Sequence, residues 1–99
     1  MIDIGTLREA VATHGAVVRV VIAEIAGSSP REAGAAMIVR ADGQTGTIGG
    51  GALEWEAVAR ARTLLAEGAG DAVWRMALGP TLGQCCGGAV TLVAERFDA

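Results

Sequence analysis

The sequence predicts an α+β domain in which helices cover a mixed β-sheet, with elements in the order α-β-β-β-α-β-β. Three observations carry this reading. The stretch from Ala16 to Ile25 is dense in β-branched residues and interrupted by charge only at Arg19 and Glu24. A hairpin signal at Asp42 and Gly43 sits between two strand-like runs. One long helical stripe follows at Ala52 to Glu67, and the remaining segments read as strands without the regular βαβ alternation of a parallel sheet. The chain has 99 residues, 52% of them hydrophobic, which suits a single domain spanning 1–99 with an aliphatic core and no need of disulfides or metal for stability.

The elements follow in order. Ile4, Leu7, Val11 and Ala12 recur on one face of a short helix that Gly15 ends, and this helix is expected to pack as a cover. The strand from Ala16 to Ile25 is expected at the centre of the sheet, covered on both faces. "GSSPREAG", Gly27 to Gly34, is punctuated as a loop; "AAMIVRADGQTGTIGG" then reads as a hairpin ending in Gly49, Gly50 and Gly51. In the helix that follows, Leu53, Ala57, Val58, Ala61, Leu64 and Leu65 form the apolar stripe, while Glu56 and Arg60 pair four apart on the opposite face. Gly68 and Gly70 stop it, "AVWRMAL" makes a strand, a loop containing "GQCCGG" intervenes, and "AVTLVAERF" closes the domain.

Composition excludes several functions. A formal charge of −3, with acidic and basic residues interspersed, provides no basic footprint, and Trp55, Trp74 and Phe97 are the only aromatic residues available for base stacking. No nucleic-acid partner is expected. The apolar runs are too short for a membrane span, and the start "MIDIGTLREAVATHG" lacks the basic-then-apolar pattern of a secretory signal, so a cytoplasmic location is expected. The two cysteines, Cys85 and Cys86, are adjacent. A disulfide between neighbours closes only through a strained ring, which leaves thiol chemistry or inert thiols as their role.

Three loops are candidates for chemistry: "GSSPREAG", "TIGGGALE" and "GPTLGQCCGG". Each follows a predicted strand, an arrangement that allows all three to share one sheet edge. The glycines Gly49, Gly50 and Gly51 open a helix, so they read either as an anion cradle or as tight strand-to-helix packing. Their spacing matches neither a Walker loop nor a dinucleotide fingerprint. Glu54 falls on the apolar stripe of its helix, which leaves two alternatives: a first-turn carboxylate bonded to free N–H groups of its own helix, or a carboxylate aimed into a site between the glycine and cysteine loops. Arg31, beside Ser28 and Ser29, suits fork-like recognition of an oxyanion, although a solvated arginine is the commoner fate. His14 reads as a dipole ligand at the end of its helix. A thiolate among Gly83, Gly87 and Gly88 is open to close approach, and neighbouring amides lower its pKa; two unreactive thiols in a turn remain the alternative. A four-ligand metal site is not supported, since there is no second CxxC or histidine pair.

Taken together, "GSSPREAGAAM", "GQTGTIGGGALE" and "LGQCCGG" in this order resemble the N-terminal domain of the xanthine dehydrogenase accessory proteins, the XdhC/CoxI family. The resemblance implies a bacterial accessory protein that binds the molybdenum cofactor as cargo, protects its sulfurated form and passes it to a xanthine dehydrogenase-type apoenzyme, without turnover of its own. It also implies a homo-oligomer and a cysteine desulfurase as a further partner. A thiol-dependent sulfurtransferase acting through Cys85 or Cys86 is the alternative. Carried onto this chain, the cofactor-binding set is Cys85, Cys86, Gly49, Gly50, Gly51, Arg31 and Glu54, with the two cysteines facing molybdenum. Many relatives continue into a second, Rossmann-like domain that these 99 residues do not include.

Overall fold

The computed structural model describes residues 4–26, 33–68, 70–77 and 89–98. The elements are α1 (Ile4–His14), β1 (Val17–Ala26), β2 (Ala36–Arg40), β3 (Gly43–Gly46), α2 (Gly51–Glu67), β4 (Ala72–Ala77) and β5 (Ala89–Phe97), in the expected α+β order. The five strands form one sheet in the order β3-β2-β1-β5-β4, which puts β1 at its centre as its aliphatic pattern predicts. Every pairing is antiparallel, so the sheet is not mixed. The reason lies in the connections. The crossover through α2 carries the chain from β3 at one edge to β4 at the other, so it never joins two neighbouring strands, and it is such crossovers that make parallel pairs.

One face of the sheet is fully covered. Val18, Val20 and Ile22 of β1 are buried against Leu53, Ala57 and Ala61 of α2, each with no more than trace exposure. A bulge keeps this face apolar to the end of the strand. The register with β5 shifts between Ile22 and Glu24, and the extra residue turns Glu24 toward solvent and Ile25 onto the core beside Val90. Without the shift, strict alternation would send Glu24 inward.

The other face departs from the expectation of a strand covered on both sides. Leu7 of α1 packs with Val17 and Ile38 at one end of the sheet, but Val21 is only half-buried and Ala23 is exposed. The α1 helix is too short to do more: of its apolar residues Leu7 alone is buried, and Ile4 remains 68% exposed.

The glycines at the two ends of α2 have opposite tasks. Gly68 terminates it in the left-handed conformation (φ 65°, ψ 22°), with its N–H turned back to the carbonyls of Leu64 and Leu65. At the other end Gly49, Gly50 and Gly51 all have positive φ, at 117°, 75° and 72°, and these three consecutive residues fold the chain from the β3 edge into the helix.

Candidate functional site

Strand register decides which segments start from neighbouring strand ends. Ala26 at the end of β1 pairs with Ala89 at the start of β5, and Ala89 pairs with Ala77 at the end of β4. Segments 27–32 and 78–88 therefore leave the sheet from three adjacent strand ends. The glycine turn departs from the same end of the sheet but at a different level. Gly46 pairs with Met37, which pairs with Val20, so β3 stops six residues short of Ala26, a stagger of about 20 Å along the strands. Arg31, Cys85 and Cys86 themselves lie outside the described residues.

The glycine turn and Glu54 are described in full. Glu54 is in the first turn of α2, whose N-cap is Gly50. Its Oε1 accepts from the N–H of Ile48 at 2.9 Å, from the N–H of Gly50 at 3.1 Å and from the Thr47 hydroxyl; its Oε2 accepts from Gln44 Nε2 at 3.1 Å. The Gly49 N–H is engaged as well, donating to Thr47 Oγ1 at 3.0 Å. Burial alone would push the Glu54 carboxyl upward, but the bonds from Thr47, Ile48, Gly50 and Gln44 outweigh it and hold the pKa below its ordinary value of 4.5. The positive end of the helix dipole favours the same charged form.

This geometry realises the first of the two alternatives for Glu54. The carboxylate accepts from the N-cap amide of its own helix, as in a capping box but from one residue further along, and from the amide of Ile48 in the turn just before it, instead of aiming outward. It also means that an amide expected to receive an anion, that of Gly50, already faces the chain's own carboxylate. A Cβ built at Gly50 meets nothing within 4 Å, so the glycine there serves backbone conformation and not close packing.

Sequence reasoning missed Gln44 and Thr47, the two side chains that hold Glu54 from β3 and the turn. The available signal was a pair of polar residues flanking a glycine-rich strand end, immediately before a helix with an acidic first turn. Beside them is a shallow cleft of about 280 Å³ lined by Gln44, Glu54, Trp55, Val58 and Arg62, with the Trp55 side of it open to solvent. His14 is exposed in the last turn of α1, where a dipole ligand belongs. Among the described residues no group of three or more His, Cys, Asp or Glu side chains is placed to hold a metal ion, and no helix is long and apolar enough to cross a membrane.

Three comparisons bear on this arrangement. Residues 10–77, from α1 through β4 and including both the "GSSPREAG" segment and the glycine turn, match the model of the XdhC and CoxI family. The matched span ends before Cys85. No match is found among curated proteins. Among solved structures, the chain is similar to a xanthine dehydrogenase from Bacillus halodurans, at 30% identity with a TM-score of 0.81. The similarity covers 99% of this chain and 31% of that one, so the chain spans about a third of its solved relative. With the family model matching well over half of the residues and the fold agreeing along nearly all of them, the chain belongs to the XdhC and CoxI family.

Proposed function

We propose that this chain is an accessory module in the maturation of xanthine dehydrogenase-type molybdenum hydroxylases, and that it holds the molybdenum cofactor as cargo for transfer to the apoenzyme. Family membership supports the accessory role, as does the similarity to a protein described as a xanthine dehydrogenase. The observation that carries the cargo reading is the sheet end at which Ala26, Ala89 and Ala77 stand side by side, because the two segments rooted there contain Arg31, Cys85 and Cys86. A guanidinium and two soft sulfur donors are the chemistry that a phosphate-bearing molybdenum compound requires. In this reading the cysteines face molybdenum or its sulfur, and Arg31 receives the phosphate. The client is an apoenzyme of the xanthine dehydrogenase type, and a cysteine desulfurase supplies sulfur upstream.

The test is anaerobic incubation with molybdenum cofactor, followed by gel filtration and metal analysis of the protein fraction. Stoichiometric molybdenum is expected on the parent. Cys85→Ala and Cys86→Ala, shown folded by circular dichroism, should retain at least tenfold less; Arg31→Ala should retain less by the loss of one charge-assisted contact, about 1.5–3 kcal/mol. Full retention by a double Cys85→Ala/Cys86→Ala variant would overturn the reading. Multiple turnovers of a persulfide trapped on either cysteine would replace it with catalysed sulfur transfer.

A further inference from the structure

The two edges of the sheet are unlike. β3 is four residues long and begins and ends in glycine, a blunted edge that offers little for another strand to pair with. β4 has six residues, AVWRMA, with neither proline nor lysine, and among the described residues it pairs only with β5. Its Val73 is 67% exposed, one of three large apolar side chains left in solvent among the described residues. That side chain is not isolated. Val73 pairs with Val93, Val93 with Val21 and Val21 with Ala36, so an unbroken aliphatic row crosses the face that α1 leaves open and stops at the β4 edge.

We propose that β4 pairs antiparallel with β4 of a second copy of this chain, in the register that sets Val73 opposite Val73 of the other copy. A twofold axis through such a pair must run perpendicular to the sheet, because directly opposed residues share a face in an antiparallel ladder. This restricts the centre of symmetry to a residue facing its own copy. Centring on Arg75 opposes two like charges. Centring on Trp74 sets two large rings against each other and puts Val73 opposite a guanidinium. Centring on Val73 continues the aliphatic row into the second copy, places Trp74 against the small Ala72, and sets Asp71, whose Oδ1 also accepts from the Arg96 N–H at 3.2 Å, opposite exposed Arg75 at both ends. Opposite charges and matched apolar side chains are what stabilise a cross-strand pair. The result is a continuous ten-stranded sheet, twice the five of one copy.

Sedimentation velocity and light scattering on the 99-residue chain at micromolar concentrations test this, with a mass of twice 10.0 kDa expected. Arg75→Asp opposes Asp71 with a like charge at both ends and should weaken association tenfold or more; the double variant Asp71→Arg/Arg75→Asp should restore it. In a Cys85→Ser/Cys86→Ser background, Val73→Cys should form an intermolecular disulfide on mild oxidation. Opposed Cα atoms in a ladder are about 4.5–5.5 Å apart, within disulfide reach. Circular dichroism confirms that each variant is folded. A monomer at all concentrations, or a dimer indifferent to Arg75→Asp and not crosslinked through position 73, overturns the proposal.

Discussion

Removing the Glu54 carboxylate is the most direct probe of how the glycine turn is held. Glu54→Ala removes the carboxylate to which the N–H groups of Ile48 and Gly50 donate and releases Thr47 and Gln44. A hydrogen bond to a charged group contributes about 1.5–3 kcal/mol, and a carboxylate at a helix N-terminus about 0.3–1 kcal/mol through the dipole. The side chain is half-buried, so water reaches the freed donors and the losses are partial. The expected destabilisation at pH 7 is about 2–3 kcal/mol, while Glu54→Gln, which keeps a carbonyl acceptor, should lose about 1 kcal/mol. A domain of this size has roughly 5–15 kcal/mol to lose, so both variants remain folded. The pH dependence has a fixed sign. Because the folded pKa is held below 4.5, the stabilisation is complete above that value and is lost as pH falls through the folded pKa. Urea unfolding followed by circular dichroism at pH 7 and pH 3 should therefore show the gap between parent and Glu54→Ala narrowing in acid. A gap under about 0.5 kcal/mol at pH 7, or one that widens in acid, would refute the capping argument.

The glycines flanking α2 give two further expectations. Gly50→Ala should lower stability by about 1–3 kcal/mol with no steric clash to blame, because a φ of 75° with ψ of −167° belongs to a region that only glycine occupies comfortably; thermal unfolding should register a fall of several degrees. Gly68→Ala, at a left-handed C-cap with open space around it, should cost about 1 kcal/mol by the same measurement, and Gly68→Asn less.

The features legible in the sequence are those that depend on local periodicity. β1, the hairpin and the apolar stripe of α2 each announce themselves within a window of about ten to fifteen residues; β1 and the stripe stand where their patterns place them, while the hairpin turn falls one residue early, at Ala41 and Asp42, with Gly43 already paired to Arg40 in β3. Strand direction across the sheet is a property of connections instead, which is why the expectation of a mixed sheet did not hold. The uncovered face beside α1 escaped for a related reason: residues as apolar as Val21 and Val93 look the same in sequence whether a helix lies over them or not. For Glu54 the helical wheel gave its direction but not its partners. Those depend on three successive positive φ angles that bring the amides of Ile48 and Gly50 back over the first turn, a path that no periodicity encodes.

That path constrains how the candidate residues can act together. An anion received by the Gly50 amide would lie against the Glu54 carboxylate, which is held ionised there by four donors. To bind, the anion would have to displace Glu54 at a cost of about 2–3 kcal/mol, and would then meet an unpaired negative charge nearby. Gly50 as a phosphate cradle and Glu54 as a charged contact for the same cargo are thus mutually exclusive in this geometry. The end of β3, from which the glycine turn departs, also stands six residues short of the end of β1, where segment 27–32 begins. Both arguments favour Arg31 over the glycine amides as the receiver of a phosphate. Arg31 belongs to a segment that starts next to the one bearing Cys85 and Cys86. On this account Gly49, Gly50, Gly51 and Glu54 contribute by fixing where α2 begins, and so the surface from which the sheet end is approached.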